Sequence, residues 1–300
     1  MEQPKWKSWV QAMRLRTLPL AFSAIITGSF ISFKNQFSWT IFFLSTMTTL
    51  LLQILSNLAN DLGDGLKGTD NAQRIGPRRA IQAGLLSVNE MKMGIAVVVI
   101  LCLIFGLSLL SLSLNTLFDW MVFLVLAVAC LIAAITYTVG KRAYGYFGFG
   151  DLAVLFFFGF VGVGGSYFLQ QHEMSGTVLL PAVSIGCFAT GVLNLNNMRD
   201  QQNDALSGKI TMVVRMGPLW ARRYHFALIS LGWIAVMVFW IVTFRSSIQG
   251  LFMLTAPLFW RHAMIVARID EPAAFDPSLK QLALSTFLFS LLFALGAAIS

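Results

Sequence analysis

Between Asn57 and Asp70 the chain reads Asn-Leu-Ala-Asn-Asp-Leu-Gly-Asp-Gly-Leu-Lys-Gly-Thr-Asp. Asn57, Asn60, Asp61 and Asp64 stand at i, i+3, i+4 and i+7, which is one face of a helix. Asp61, Asp64 and Asp70 are a dense group of carboxylates for a chain with only 13 Asp and Glu. Carboxylates beside amide oxygens, without His or Cys, suit a hard divalent cation such as Mg²⁺. A solvated helix end is the plainer alternative. A second stretch, Asn194 to Lys209, puts Asn197, Asp200 and Asp204 at i, i+3 and i+7. Asp64-Gly-Leu-Lys-Gly68 and Asp204-Ala-Leu-Ser-Gly208 share the pattern Asp-x-Leu-x-Gly. Each has an Asn seven residues before the Asp and an oxygen-bearing residue four before it, at a constant offset of 140. The echo predicts an internal repeat, about 17–139 and 150–268, inside a single domain of residues 1–300. Two carboxylate faces would then oppose each other across one cavity.

Both stretches also carry cations: Lys67, Arg74, Arg78 and Arg79 in the first, Arg199, Lys209 and Arg215 in the second. Two acidic faces ringed by Arg and Lys are what a metal-bridged diphosphate requires. Mg²⁺ coordinates phosphate oxygens and keeps few protein ligands. Arg forks neutralise the remaining charge. Ordinary basic loop charge is the alternative for every one of these cations. Tyr137 and Lys141 lie four apart. Lys141 is in reach of a diphosphate and Tyr137 of a hydrogen bond to it, against the alternative of residues anchoring a helix at the membrane surface. Asp151 reads as a helix cap. His172, His225 and His262 are isolated, and Cys102, Cys130 and Cys187 have no ligand spacing. There is no Ser-His-Asp arrangement and no phosphate-binding glycine loop.

The elements that carry these residues belong in a bilayer. The 300 residues are 57% hydrophobic and 11% charged, with 26 Phe, whereas soluble domains carry about 25% charged residues. Spans of about 20 apolar residues fall at 17–33, 38–60, 91–112, 118–139, 150–171, 177–198, 222–244, 248–268 and 280–299. They are too long and too uniformly apolar for barrel strands, and backbone in lipid must satisfy itself. The fold class is therefore all-α, a polytopic membrane protein of nine helices around a central cavity. With the N-terminus in the cytoplasm, 19 of the 21 Lys and Arg fall on that side, leaving Lys34 and Arg245 opposite. The net charge of +8 then reflects basic loops against anionic lipid, not nucleic acid. The two long loops expected on the cytoplasmic side, about 61–90 and 199–221, both follow a helix whose end turns polar. The far-side loops, 34–37, 113–117, 172–176 and 245–247, are short.

A site buried in lipid and facing a Mg²⁺-diphosphate suits a substrate with an anionic head and an apolar tail, as an isoprenyl diphosphate has. Its C–O bond ionises when metal and Arg stabilise the leaving diphosphate. The allylic cation then needs an electron-rich acceptor and a water-poor cavity. A transporter would put polar groups and broken helices near the bilayer midplane; here they lie at helix ends. A lipid- or quinone-binding scaffold without turnover leaves both carboxylate faces unexplained.

Several phrases carry a resemblance: Asn60-Asp61-x-x-Asp64 with Asp70, Asp200-x-x-x-Asp204, Arg14-Leu-Arg-Thr-Leu-Pro-Leu-Ala, Lys67-Gly-Thr-Asp, Arg74-Ile-Gly-Pro, Tyr137-Thr-Val-Gly, Gly148-Phe-Gly-Asp151 and Asn197-Met-Arg-Asp. At the ends of the second and sixth of nine helices, these resemble the UbiA superfamily of intramembrane prenyltransferases. They are most similar to the 1,4-dihydroxy-2-naphthoate prenyltransferases of menaquinone synthesis. The resemblance covers most of residues 6–225; the final third reads as generic apolar helix. It implies that Asp61, Asp64, Asp200 and Asp204, helped by Asn60 and Asn197, hold Mg²⁺ on the diphosphate. It implies that Arg74, Arg78, Lys141 and Lys209 bind phosphate oxygens, and that Asp70 holds metal or takes a proton from the acceptor. The implied reaction joins a polyprenyl diphosphate to 1,4-dihydroxy-2-naphthoate with loss of CO₂, giving demethylmenaquinone at the inner membrane of a bacterium. A related enzyme with another acceptor, such as 4-hydroxybenzoate, is the near alternative.

Overall fold

The computed structural model describes residues 4–31, 33, 34 and 36–300. The expected span 17–33 and loop 34–37 each include one residue, Ser32 and Asn35, outside that set. No strand occurs among the described residues. A short helix, α1 (Lys5–Met13), precedes α2 (Leu18–Phe30) and α3 (Trp39–Leu66). Then come α4 (Val88–Ser113), α5 (Leu117–Thr136), α6 (Gly150–Gln171) and α7 (Leu179–Leu206). The chain closes with α8 (Met212–Val242), α9 (Ser247–Ala267) and α10 (Phe275–Ile299). The eight helices α3 to α10 are long and apolar enough to cross a membrane, and the protein is a multi-pass membrane protein. The ninth expected span, α2, has 13 residues, about 20 Å against the roughly 30 Å of a hydrocarbon core. It is buried along most of its length and packs on α3, α6 and α10.

Hydropathy misplaced two helix ends. α3 and α7 each have 28 residues, and each runs well past the spans expected at 38–60 and 177–198. The last two turns are polar because they face the interior, so apolarity stops where the helix does not. The loop expected at 199–221 shrinks to 207–211, and α8 begins at Met212 with a bend at Gly217 (φ 76°) before Pro218. Segment 67–87, between α3 and α4, holds only turns and bends.

The ends of α3 and α7 are built alike. Gly68 and Gly208 adopt left-handed φ of 73° and 72°, a conformation that costs glycine nothing. Thr69 N–H donates to the Asp64 carbonyl at 3.0 Å, and Lys209 N–H to the Asp204 carbonyl at 2.8 Å. Gly68 and Gly208 N–H reach the Gly65 and Ala205 carbonyls at 3.3 and 3.2 Å. These two bonds are the Schellman helix stop. Asp-x-Leu-x-Gly is thus a helix terminus in which the Asp stands on the last full turn.

α7 forms the centre of the bundle. Its small residues let neighbours approach, as membrane helices require in the absence of a hydrophobic drive: a Cβ on Gly159 of α6 would stand 2.5 Å from the Ala182 carbonyl. Phe188 of α7 sits in an aromatic cluster with Trp233, Phe259 and Phe289. α6 is π-helical from Leu155 to Gly164. α5 has no buried residue.

Candidate active site

The polar ends of α3 and α7, segment 67–87 and the turn after α1 meet at one end of the bundle. They form the mouth of a cavity of about 420 Å³. Arg14, Asn60, Asp64, Asp70, Arg74, Arg79, Asp200, Asp204 and Lys209 line the mouth. Below it the walls turn apolar, through Leu20 of α2, Leu110 of α4, Phe123 of α5 and Phe157 and Leu169 of α6.

Lys209 bridges the two acidic faces. Its Nζ is 3.3 Å from Asp64 Oδ2 and 3.8 Å from Asp204 Oδ1. Burial alone would lower its pKa, but Asp64 and Asp204 outweigh that and hold the ammonium charged well above its ordinary range. Asn60 Nδ2 donates to Asp64 Oδ2 at 3.0 Å, and the Tyr146 hydroxyl donates to Asp64 Oδ1 at 2.8 Å. Burial first, then Asp64, raises the Tyr146 phenol, so it stays a donor. Arg74 makes the second bridge. Its Nε is 2.9 Å from Asp70 Oδ1, and its Nη2 is 3.4 Å from Asp200 Oδ2. Arg79 Nε approaches Asp70 Oδ2 at 3.7 Å. Burial and the charge of Asp64 push Asp70 up to about 7, against the pull of Arg74 and Arg14. Asn203 ties segment 67–87 down by donating to the Thr69 carbonyl at 2.8 Å.

Of the residues singled out by sequence, Asn60, Asp64, Asp70, Arg74, Tyr137, Asp200, Asp204 and Lys209 line one cavity. Tyr137 stacks edge-on against Tyr144, and burial pushes its phenol up to about 12. Four others are elsewhere. Asp61 accepts from the Ala80 and Ile81 backbone N–H at 3.0 and 3.4 Å, so it anchors segment 67–87, and it does not line the cavity. Asn197 is buried in α7 but does not border the cavity. Arg78 and Lys141 are exposed outside it. Lys141 misses because α5 stops at Thr136, so four-residue spacing no longer puts it above Tyr137.

The site also contains residues the motif spacing did not single out. Arg14 has left-handed φ (50°), donates to Asn60 Oδ1 at 2.8 Å and keeps a buried Nε without a partner. Its burial lowers the guanidinium to about 10. Tyr146 had only the signal of an aromatic between Gly145 and Gly148, and Arg14 that of the first residue in Arg14-Leu-Arg-Thr-Leu-Pro-Leu-Ala, with no role attached.

Among the described residues no three His, Cys, Asp or Glu converge as a finished metal cage. The donor set nonetheless fits a hard cation shared with a phosphate ligand. It is all oxygen, it comes from two opposed helix ends, and Asp204 Oδ2 is buried with no hydrogen-bond partner. Mg²⁺ held mainly by substrate oxygens and one or two carboxylates needs no more.

A model of the UbiA prenyltransferase family matches residues 21–291. The 1,4-dihydroxy-2-naphthoate octaprenyltransferase of Escherichia coli (strain K12) is 43% identical over 295 residues, 98% of this chain and 96% of that protein. The protein of the same name from Haemophilus influenzae is 41% identical over 299 residues, 99% and 97% of the two chains. A UbiA homolog from Archaeoglobus fulgidus, solved bound to GPP and Mg²⁺, has a TM-score of 0.68 at 15% identity, covering 98% of this chain and 100% of that one. The apo UbiA homolog from Aeropyrum pernix K1 has a TM-score of 0.67 at 17% identity, covering 95% and 96%. At these identities the two structures share the fold.

Proposed function

This chain belongs to the UbiA prenyltransferase family, and we propose that it transfers a polyprenyl group from polyprenyl diphosphate to 1,4-dihydroxy-2-naphthoate in menaquinone synthesis. The naphthoate loses its carboxylate as CO₂, diphosphate leaves, and the product is the prenylated naphthoquinol, the reduced form of demethylmenaquinone. The observation that carries this reading is the cavity itself, a mouth of opposed carboxylates and cations above an apolar interior. It is supported by relatives of that activity at 43% and 41% identity over nearly the full chain.

Asp64 and Asp204, with Asp200 and the amide of Asn60, would hold Mg²⁺ at the mouth of the cavity. The chemistry such an ion would supply is neutralisation of the leaving diphosphate, which favours C–O ionisation. Lys209 now spans Asp64 and Asp204. With substrate bound, Lys209 would donate to a phosphate oxygen and so free both carboxylates for other partners. Arg74 and Arg79 supply further donors, and Asp70 orients that pair through its two oxygens. Tyr146 fixes the Asp64 carboxylate. Tyr137, protonated at neutral pH, donates from the cavity wall. Arg14, with an unpaired Nε in the cavity wall, complements the carboxylate of the acceptor. The apolar walls below exclude water from the allylic cation. Residues 17–139 and 150–268 are two copies of one ancestral unit; α3 and α7, equal in length and offset by 140 residues, support that reading. The membrane is the cytoplasmic membrane of a bacterium, with the mouth on the cytoplasmic side, where 19 of the 21 Lys and Arg are expected.

The test is turnover by the purified protein. Polyprenyl diphosphate and dihydroxynaphthoate should give prenylated naphthoquinol and CO₂ with Mg²⁺, and none with EDTA. Equal or faster use of 4-hydroxybenzoate would overturn the acceptor assignment.

A further inference from the structure

The last third of the chain, which reads as generic apolar helix, is tied to Asp200 at the polar mouth through one carboxylate and Arg199. Asp276, in the first turn of α10, accepts from Arg199 Nη1 at 2.5 Å and lies 3.4 Å from Arg16 Nη1. The Arg199 side chain is 1% exposed. Its Nε donates to Asp200 Oδ1 at 3.0 Å, and its Nη2 donates to Asp200 Oδ2 and Asn196 Oδ1, both at 2.7 Å. Every nitrogen of the guanidinium is engaged. Arg74 then joins Asp200 to Asp70. A continuous ionic chain therefore runs Arg16, Asp276, Arg199, Asp200, Arg74, Asp70, through α10, α7 and segment 67–87.

This arrangement poses an electrostatic problem that Asp276 resolves. Arg199 is charged at any accessible pH, and a buried charge stripped of its partner is costly. A fork closed on both oxygens of Asp200 also competes with any cation for that carboxylate. Arg199 can loosen its hold on Asp200 only if a second anion neutralises it. Asp276 is that anion. It stands at a helix N-terminus, where the dipole favours negative charge, and it is 34% exposed.

We propose that Asp276 is a positioning residue of the metal-diphosphate site: it anchors Arg199 from α10 and so leaves Asp200 able to share its oxygens with a divalent cation. The proposal rests on the reading of Asp200 as a metal ligand.

The experiment measures Mn²⁺ binding to the purified full-length protein in detergent with farnesyl thiodiphosphate, from the free Mn²⁺ signal in EPR. Mg²⁺ dependence of prenyl transfer and thermal unfolding are measured on the same samples. Asp276→Asn should raise half-saturating Mn²⁺ and Mg²⁺ about tenfold, the lower end of the effect expected when the partner of a ligand is removed. At saturating Mg²⁺, kcat should stay within about threefold of wild type, because the reacting groups are untouched. Asp276→Glu keeps the charge and should raise the value only about two- to threefold. In the double variant Asp276→Asn/Arg199→Gln the metal defect should be smaller than in Asp276→Asn, since nothing then captures Asp200. Lowered thermal stability with unchanged Mn²⁺ binding would assign Asp276 to packing and overturn the proposal. Should Asp276→Asn not fold, Asp276→Ser is measured in its place, and an unchanged half-saturation overturns the proposal. Asp200→Asn is run alongside. If it leaves Mn²⁺ binding at wild type, the metal reading of Asp200 falls and the proposal with it. If it abolishes binding while Asp276→Asn has no effect, only the proposal falls.

Discussion

At the scale of single residues, neighbours in sequence divide sharply in space. Arg78 and Arg79 are adjacent, yet Arg79 is buried against Asp70 and Arg78 is exposed. Lys209 lies between two carboxylates, whereas Lys141 is outside the cavity. Arg79→Ala and Lys209→Ala should each lower kcat/KM by about 100-fold, the loss typical of one preorganised donor to developing charge. Arg78→Ala and Lys141→Ala should stay within about threefold, as surface changes do. Steady-state assays of the four proteins check this, and a large loss at Lys141 would show that segment 137–149 closes over the substrate. Asp64→Asn and Asp204→Asn should abolish Mg²⁺-dependent turnover. Residue types at helical spacing were enough to find Asp64, Asp200, Asp204 and Asn60, because they lie on unbroken helix. Spacing fails at Tyr137–Lys141, where the helix has ended, and at Asp61, which finds backbone donors from a segment with no pattern of its own.

At the scale of elements, the shared Asp-x-Leu-x-Gly has a mechanical meaning. Gly68 and Gly208 turn the chain out of the helix with positive φ, and Lys209 follows directly. A Cβ added at Gly208 would meet only open space, so Gly208→Ala should cost only the left-handed strain, about 1 kcal/mol. Gly208→Asn should cost less, since Asn tolerates that region. Unfolding in mixed micelles orders the three proteins; equal stabilities would argue against a strained stop. Asp61→Ala strips the Ala80 and Ile81 N–H groups of their acceptor, at about 1–3 kcal/mol for buried groups left unpaired. Segment 67–87 should then be cleaved faster in limited proteolysis, and Asp61→Ala should lose activity in proportion to that loosening. The helices themselves were legible as apolar runs. Their inner ends were not, since a turn that is polar because it lines a cavity looks the same in sequence as a turn that is polar because it has left the membrane.

At the scale of the molecule, polar groups gather at one end of the bundle and the interior beneath them is apolar, which suits chemistry on an amphiphile better than transport across the midplane. Composition made the membrane fold legible; the cavity wall was not, because it depends on which helices fail to meet. Leu103 and Leu107 of α4 and Leu124 and Val128 of α5 line the cavity and are 43–46% exposed. Protein therefore leaves this part of the wall, between α4 and α5, incompletely covered. A long prenyl tail need not fit within about 420 Å³: with its head at the mouth, the tail would leave the cavity between α4 and α5. Leu124→Trp/Val128→Trp thickens that wall without touching the mouth. Overpacking of this kind costs about 1–3 kcal/mol, so kcat/KM for a long-chain donor should fall about tenfold or more relative to geranyl diphosphate. Paired donors competing in one assay measure the ratio directly. An equal loss for both donors would mean the substitutions disturb the site itself, and an unchanged ratio would mean the tail is housed elsewhere, against α2 and α6.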